Sequence, residues 1–302
     1  MEIHLSDAEK VYIIRGAQEG IRSDGRSPLD YRPLSLETGV LSTTNGSARV
    51  RLSSTDLLIG VKADLTEIDD VQSYRNRLKF YIDCSANATP SFEGKGGQDF
   101  ATEIACALEA AYDNDLLLPD LKRLILSPYH VWRITVDIVI LQCGGNILDA
   151  AGLGVKAALH DTEIPNVVVR PADEGKFTVD LPDDCTVWKM DVSRAPLFVC
   201  VNKIGTANVV DATLYEEATT RVSLWIGVSI PLLDNDMIQS ISEDQCQIPL
   251  VRQCGGGALE QDSLDEMLRV GIQICLRLHA ALSKRLADEE NDDVVDRNTF
   301  LR

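Results

Sequence analysis

An α+β layer fold is what the sequence predicts, on three observations. Short runs rich in Val, Ile and Leu are punctuated by turn residues, as in antiparallel sheets. Between them lie stretches whose apolar residues recur at helical spacing. The halves also rhyme loosely, each carrying a Cys-Gly-Gly turn ahead of a helix, "CGGN" and then "CGGGAL". With 302 residues, 45% of them hydrophobic and 25% charged, the chain has the material for a sizeable core under such layers.

The elements follow in order. In "LSDAEKVYIIRGAQEG" Ser6 stands three residues before Glu9, a capping box that predicts an amphipathic helix to about Gln18 with Gly20 as its stop. Turn signals in "RSDGRSPLDYRP" lead to strands over 34–41, 46–53 and 56–65, the first two joined by "TTNG", and another over 78–88. Phe100, Ile104, Leu108 and Tyr112 form the i+4 stripe of a helix over 98–112. A strand over 131–142 then runs through the first Gly-Gly turn into a helix over 147–159.

Residues 171–195 are rich in turns, and a second set of elements follows. Strands are expected over 197–204, 207–211, 222–229 and 236–243, then one long helix from Gln261 to Leu286 on the stripe Leu264, Met267, Gly271, Ile274, Leu278 and Leu282. The expected organisation is an N-terminal helix and turn (1–25), two αβ units (26–190 and 191–287) and a disordered acidic tail (288–302).

A net charge of −18 argues against a free-standing nucleic-acid or membrane binder, which needs a basic field. The nearest approach to a basic cluster in the first unit is Lys95 with Arg75 and Arg77, the candidate RNA contacts. None of the eight Cys forms a C-x-x-C pair or lies near a His at ligand spacing, so no metal is expected and reduced thiols in an intracellular compartment are. No signal peptide and no membrane-spanning run is visible. His4, His130, His160 and His279 are scattered, and Glu216 beside Glu217 is a poor acid–base pair because neighbours point to opposite sides.

The "LQCGGNILDA" junction has the shape of a phosphate cradle, a strand entering a glycine turn at a helix N-terminus. Its chemistry points the other way. Asn146 is a good N-cap and Asp149 falls at N3, so the helix is expected to satisfy its own amides, and the carboxylate would repel an anion.

Six stretches in order resemble one family, the ribonuclease PH-like ring subunits of the eukaryotic RNA exosome. They are "GIRSDGR" with "DYRPLSLETGV", "NGSARVRLSSTDLLIGVKA", "CSANATPSFEGKGGQDFATEIA", "CGGNILDAAGLGVKAAL", "VVDATLYEEA" and "CGGGAL". The resemblance implies a ribonuclease PH-like fold of two αβ units and a place in a hexameric ring with one tight pairing partner. It also implies RNA-binding cap subunits, associated hydrolytic ribonucleases, single-stranded RNA threaded through the channel, no cofactor and no membrane. The nucleus and nucleolus, and also the cytoplasm, are the implied locations.

The departures from the family pattern bear on catalysis. Where active relatives carry Thr-Arg or Ser-Arg to clamp phosphate, this sequence has Asn146 and Ile147. Where they carry acidic residues after "EE", it has Ala218 and then Ser223 or Leu224. The helix after "EGKGG" has Cys106, Ala107, Ala110 and Ala111 in place of arginines. The resemblance therefore implies a non-catalytic structural subunit that supports 3′→5′ RNA processing. An active phosphate-dependent exoribonuclease and an unrelated free-standing α+β protein are the alternatives.

Overall fold

The computed structural model describes residues 5–67, 77–93, 95–171, 177–182, 186–231 and 245–299. Helix α1 (Asp7–Gln18) starts at the expected capping box: Glu9 N–H donates to Ser6 Oγ at 3.3 Å and Ser6 N–H to Glu9 Oε2 at 2.8 Å. It stops where Gly20 takes a positive φ of 74°.

The chain then lays down β1 (Leu34–Thr38), β2 (Gly46–Leu52), β3 (Thr55–Glu67), β4 (Leu78–Asp83), α2 (Lys95–Tyr112), β5 (Ile125–Ser127), β6 (His130–Gln142) and α3 (Ile147–Asp161). These strands form one sheet in the order β1-β2-β3-β6-β4, with β5 paired to β6. The sheet is not wholly antiparallel as the strand pattern suggested. Strand β4 runs parallel to β6, because α2 lies between them in sequence and returns the chain to its starting end.

The turn-rich stretch holds two small ribbons, β7 (Glu163–Pro165) with β10 (Val187–Lys189) and β8 (Val168–Pro171) with β9 (Phe177–Asp180). Next come β11 (Leu197–Ile204), β12 (Ala207–Val210), α4 (Leu214–Glu217), β13 (Val222–Ser229), β14 (Gln247–Cys254) and α5 (Gln261–Thr299). They build an antiparallel sheet in the order β12-β11-β13-β14. The strand expected over 236–243 lies outside the described residues, and the edge position belongs to β14.

Helix α3 joins the two sheets. Every residue from Ile147 to Leu159 is buried, and one apolar cluster takes in both sheets and the helix. Two glycines permit the close approach. A Cβ on Gly152 would collide with the Phe198 ring on β11, and one on Gly154 with Ile59 and Val50 on β3 and β2. Helix α5 covers β11 and β13 and runs on to Thr299, past Leu286 and through most of the stretch expected to be a disordered tail. No Gly or Pro follows Gly271 to stop it, and Glu289 anchors it to β1 through Thr38 Oγ1 at 2.8 Å. Among the described residues no helix is long and apolar enough to cross a membrane.

Candidate functional site

The Gly-Gly turn between β6 and α3 is where the conspicuous motifs meet. Gly145 has φ 93°, and a Cβ there would lie 2.7 Å from Ala212 O and 2.8 Å from Leu214 N. The glycine requirement is thus set by backbone packed against backbone, with no anion needed to explain it. The turn offers its carbonyls to a cation of the chain itself. Arg32 donates from Nη1 to Gly144 O (2.9 Å) and from Nη2 to Gly145 O (3.0 Å), and Thr55 Oγ1 donates to Gly145 O (2.7 Å).

Beneath the turn lies a buried ionic lattice. Asp211, fully buried, accepts from Arg32 Nη2 at 2.7 Å and from Arg26 Nη1 at 2.8 Å. Arg22 forms a two-pronged pair with Glu216, 2.9 Å from Nε and 2.7 Å from Nη2. The "GIRSDGR…DYRP" and "VVDATLYEEA" segments are therefore two halves of one structural clamp. Nothing local in either segment marks this pairing. Their opposite charges were the available signal.

Asn146 does not cap α3 as expected. It sits in the left-handed region (φ 57°, ψ 51°) and its side chain makes no capping bond. Its Nδ2 donates instead to Asp149 Oδ2 (3.0 Å) and Asp211 Oδ1 (2.9 Å). Two buried carboxylates need donors, and this demand outweighs the cap. Asp149 also accepts from Tyr31 Oη (2.6 Å) and Cys200 N–H (2.8 Å), while burial pushes its carboxyl up to about 6. The next cation along α3, Lys156, is buried away from the turn on Ser193 O, Ala195 O and His279 Nδ1.

Beside the turn opens a cavity of about 250 Å³. It brings together Asn146, Ile147, Ala218 and Ser223, positions remote in sequence. Leu224 is not among them. Alternation along β13 turns Ser223 to the cavity and Leu224, 1% exposed, into the core. The face of α2 at the cavity presents Phe100, Glu103 and Ile104, whereas Cys106, Ala107, Ala110 and Ala111 lie elsewhere on that helix.

Glu217, on α4, also lines the cavity and accepts the Asn146 N–H at 2.7 Å. Its neighbour Glu216 points away into the Arg22 pair, so the two glutamates do face opposite ways. No Lys, Arg or His lines the cavity among the described residues. The lining therefore offers an anion no cationic partner of its own.

Of the candidate RNA contacts, Lys95 is exposed at the start of α2 and Arg75 lies outside the described residues. Arg77 is a structural strut, contrary to expectation. It is 7% exposed and donates to Asp115 Oδ1 (2.7 Å) and Leu121 O (2.8 Å), since a guanidinium this buried must spend its donors internally.

Burial raises the Glu217 carboxyl from 4.5 to about 7. A raised acid contributes stability that is full below its unfolded value and lost as pH rises through the folded value. Replacing Glu217 by Gln keeps an oxygen for Asn146 N–H but removes the buried charge. The variant is expected to gain on the parent by on the order of 3 kcal/mol between pH 4 and pH 8, read by urea denaturation at both. An equal difference at both values would contradict the assignment.

Residues 30–165 match the 3′ exoribonuclease family, domain 1. A Thermococcus kodakarensis protein named exosome complex component Rrp42 is 34% identical over 218 residues, covering 72% of this chain and 78% of its own. A Dictyostelium discoideum protein whose name includes "exosome complex exonuclease RRP42" is 30% identical over 273 residues, covering 74% and 84%. Among solved structures, the fold matches an archaeal exosome core (TM-score 0.71, 23% identity, 92% of this chain and 97% of that one). It also matches the Archaeoglobus fulgidus exosome with RNA bound to the active site (TM-score 0.68, 25% identity, 90% and 96%). The chain belongs to the 3′ exoribonuclease family and has the ribonuclease PH-like fold that its motifs led us to expect. Within that family its particular likeness is to proteins named exosome components of the Rrp42 type.

Proposed function

We propose that the chain is a non-catalytic structural subunit of the core ring of an RNA exosome. It supports 3′→5′ RNA processing and degradation, ribosomal RNA maturation included, in which other subunits cut. The observation that carries the non-catalytic part is the cavity beside the Gly-Gly turn. Ile147 and Ala218 line it, Glu217 faces it, and no cationic side chain among the described residues does. A phosphate entering there would meet the carboxyl of Glu217 and no cation of the lining to hold it, since Arg252 is already paired with Glu103. The names of the relatives support the ring assignment.

Its partners on this reading are other ribonuclease PH-like ring subunits, RNA-binding caps and hydrolytic ribonucleases, in the nucleus, the nucleolus and the cytoplasm. The test is isolation of the tagged chain from cells under native conditions, with mass spectrometry of what accompanies it. The expected result is a large assembly containing further ribonuclease PH-like chains. Recovery of the chain as a small single-chain species would overturn the reading.

A further inference from the structure

We infer that the contact between Lys156 and His279 is a proton-sensitive clasp, which fastens α5 to the body of the molecule and loosens when the pair must take a second proton. Lys156 comes from α3 and His279 from the middle of α5, and both are buried, at 4% and 0% exposure. An ammonium has three donors and no acceptor. Lys156 Nζ meets three acceptors, Ser193 O at 2.9 Å, Ala195 O at 3.0 Å and His279 Nδ1 at 3.2 Å. On the far side of the ring, Nε2 lies 3.0 Å from Val228 O. A carbonyl oxygen only accepts, so Nε2 carries the ring proton and Nδ1 of the neutral ring is bare. A proton added at Nδ1 would replace an acceptor by a donor. It would also set two positive charges about 3.2 Å apart in the protein interior.

The surroundings supply little counter-charge. Among the described residues the one carboxylate acting on Lys156 is Asp191, exposed on the segment before β11, and none acts on His279. Cys275, one turn before His279 on α5, donates its thiol to Leu197 O, and burial keeps it protonated. Asp149 on α3 and Cys246 ahead of β14 act on Cys275, while β11 and β13 present backbone carbonyls. Burial first and the Lys156 charge second hold the His279 ring well below its ordinary 6.5. Burial also pulls Lys156 down to about 7. A base held low loses stability as pH falls below its unfolded value, tenfold in the closed-to-open ratio for each pH unit. Lys156 adds no slope below about 7, where it is charged in both states. The slope between pH 6.5 and pH 5 therefore belongs to His279. The apolar grip beside the clasp is incomplete, since a cleft of about 460 Å³ walled by Leu34, Leu36, Leu278 and Leu282 separates this stretch of α5 from β1. The inference rests on these contacts and not on the ring assignment.

The test is hydrogen exchange of the full chain from pH 7 to pH 5, resolved to peptides and corrected for the intrinsic rate at each pH. In the parent, α5 amides between Met267 and Leu286 are expected to open about tenfold more for each pH unit below 6.5, while those of β6 hold. His279→Gln keeps an acceptor for Lys156 and a donor for Val228 O but has no proton to titrate, so it should remove most of that rise. Equal rises in parent and variant, or β6 opening in step with α5, would overturn the proposal. Ring nitrogen-15 spectra of the parent provide a check that needs no substitution. His279 should be neutral with its proton on Nε2 at pH 7 and still neutral at pH 5.5 wherever α5 is closed. A proton on Nδ1 at pH 7, or a ring that titrates near 6.5 while α5 stays closed, would overturn the proposal equally.

Discussion

Replacing Asp211 by Ala is expected to lower the unfolding free energy by about 3–5 kcal/mol, the range for removing one partner from a buried charge lattice. Asp211 is fully buried and faces Arg32 and Arg26, whose side chains are 6% and 13% exposed. It also holds the Arg32 N–H at 2.7 Å and the Asn146 amide at 2.9 Å. Its loss strands two guanidiniums in the protein interior and removes an acceptor that fixes the Asn146 amide. A second cost comes from the backbone, because residue 211 has φ 46°, where Ala is strained and Asn is tolerated. Asp211→Asn should therefore cost less than Asp211→Ala. A domain has only about 5–15 kcal/mol in total, so either change should be visible as a fall in the urea midpoint at unchanged slope.

The surface pair Arg49–Asp56, with side chains 28% and 15% exposed, provides the control, and Arg49→Met should leave the urea midpoint far less changed than Asp211→Ala does. The pH dependence has a definite sign. Burial alone would raise the Asp211 carboxyl, but the Arg32 guanidinium overrides this and holds it below its ordinary 3.8. A lowered acid contributes stability that is full above the unfolded value and lost as pH falls through the folded one. The gap between parent and Asp211→Asn should accordingly shrink on acidification below pH 3.8. A loss under about 1 kcal/mol at neutral pH would show that the lattice is not a stability element.

What the sequence reveals depends on how far each interaction reaches along the chain. The capping box of α1 involves two residues three apart, so it is legible, and so are the stripes of α2, α3 and the first part of α5. Asn146 misleads because its partners, Asp149 and Asp211, outcompete the local cap, and one of them is remote. Arg77 misleads for a similar reason, since Asp115 and Leu121 O lie well downstream. Strand β14 escaped notice because it is an edge strand with Pro249 inside it and a mixed exposure pattern in place of clean alternation. The convergence of Asn146, Ile147, Ala218 and Ser223 came through resemblance to a family. Spacing alone could not have predicted it, whereas the choice between Ser223 and Leu224 is a matter of strand alternation that only the register of β13 resolves.

Neither Ile147→Arg nor Ala218→Asp, made singly, is expected to produce phosphate-dependent RNA cleavage. Phosphorolysis needs a clamp on the attacking phosphate and a group to protonate the leaving oxygen, and losing one such element costs on the order of 10²–10³ in rate. The family resemblance assigns the clamp to position 147 and an acid to position 218, and both positions line the one cavity. An arginine at 147 would enter beside Glu217 and close to Asp149, and those carboxylates would take it as an ion pair before any phosphate did. An aspartate at 218 would add a further negative charge to a cavity already lined by Glu217 and Glu103, raising the cost of bringing phosphate in. The double variant faces one more obstacle, since α2 offers the cavity Phe100, Glu103 and Ile104 and no basic residue to hold the RNA 3′ end. The assay is release of nucleoside diphosphates from a short RNA with inorganic phosphate, in an assembled ring whose other subunits are inactive. Turnover by the parent chain would sink the non-catalytic reading outright, and turnover by one single variant would show that the other half of the site is present after all.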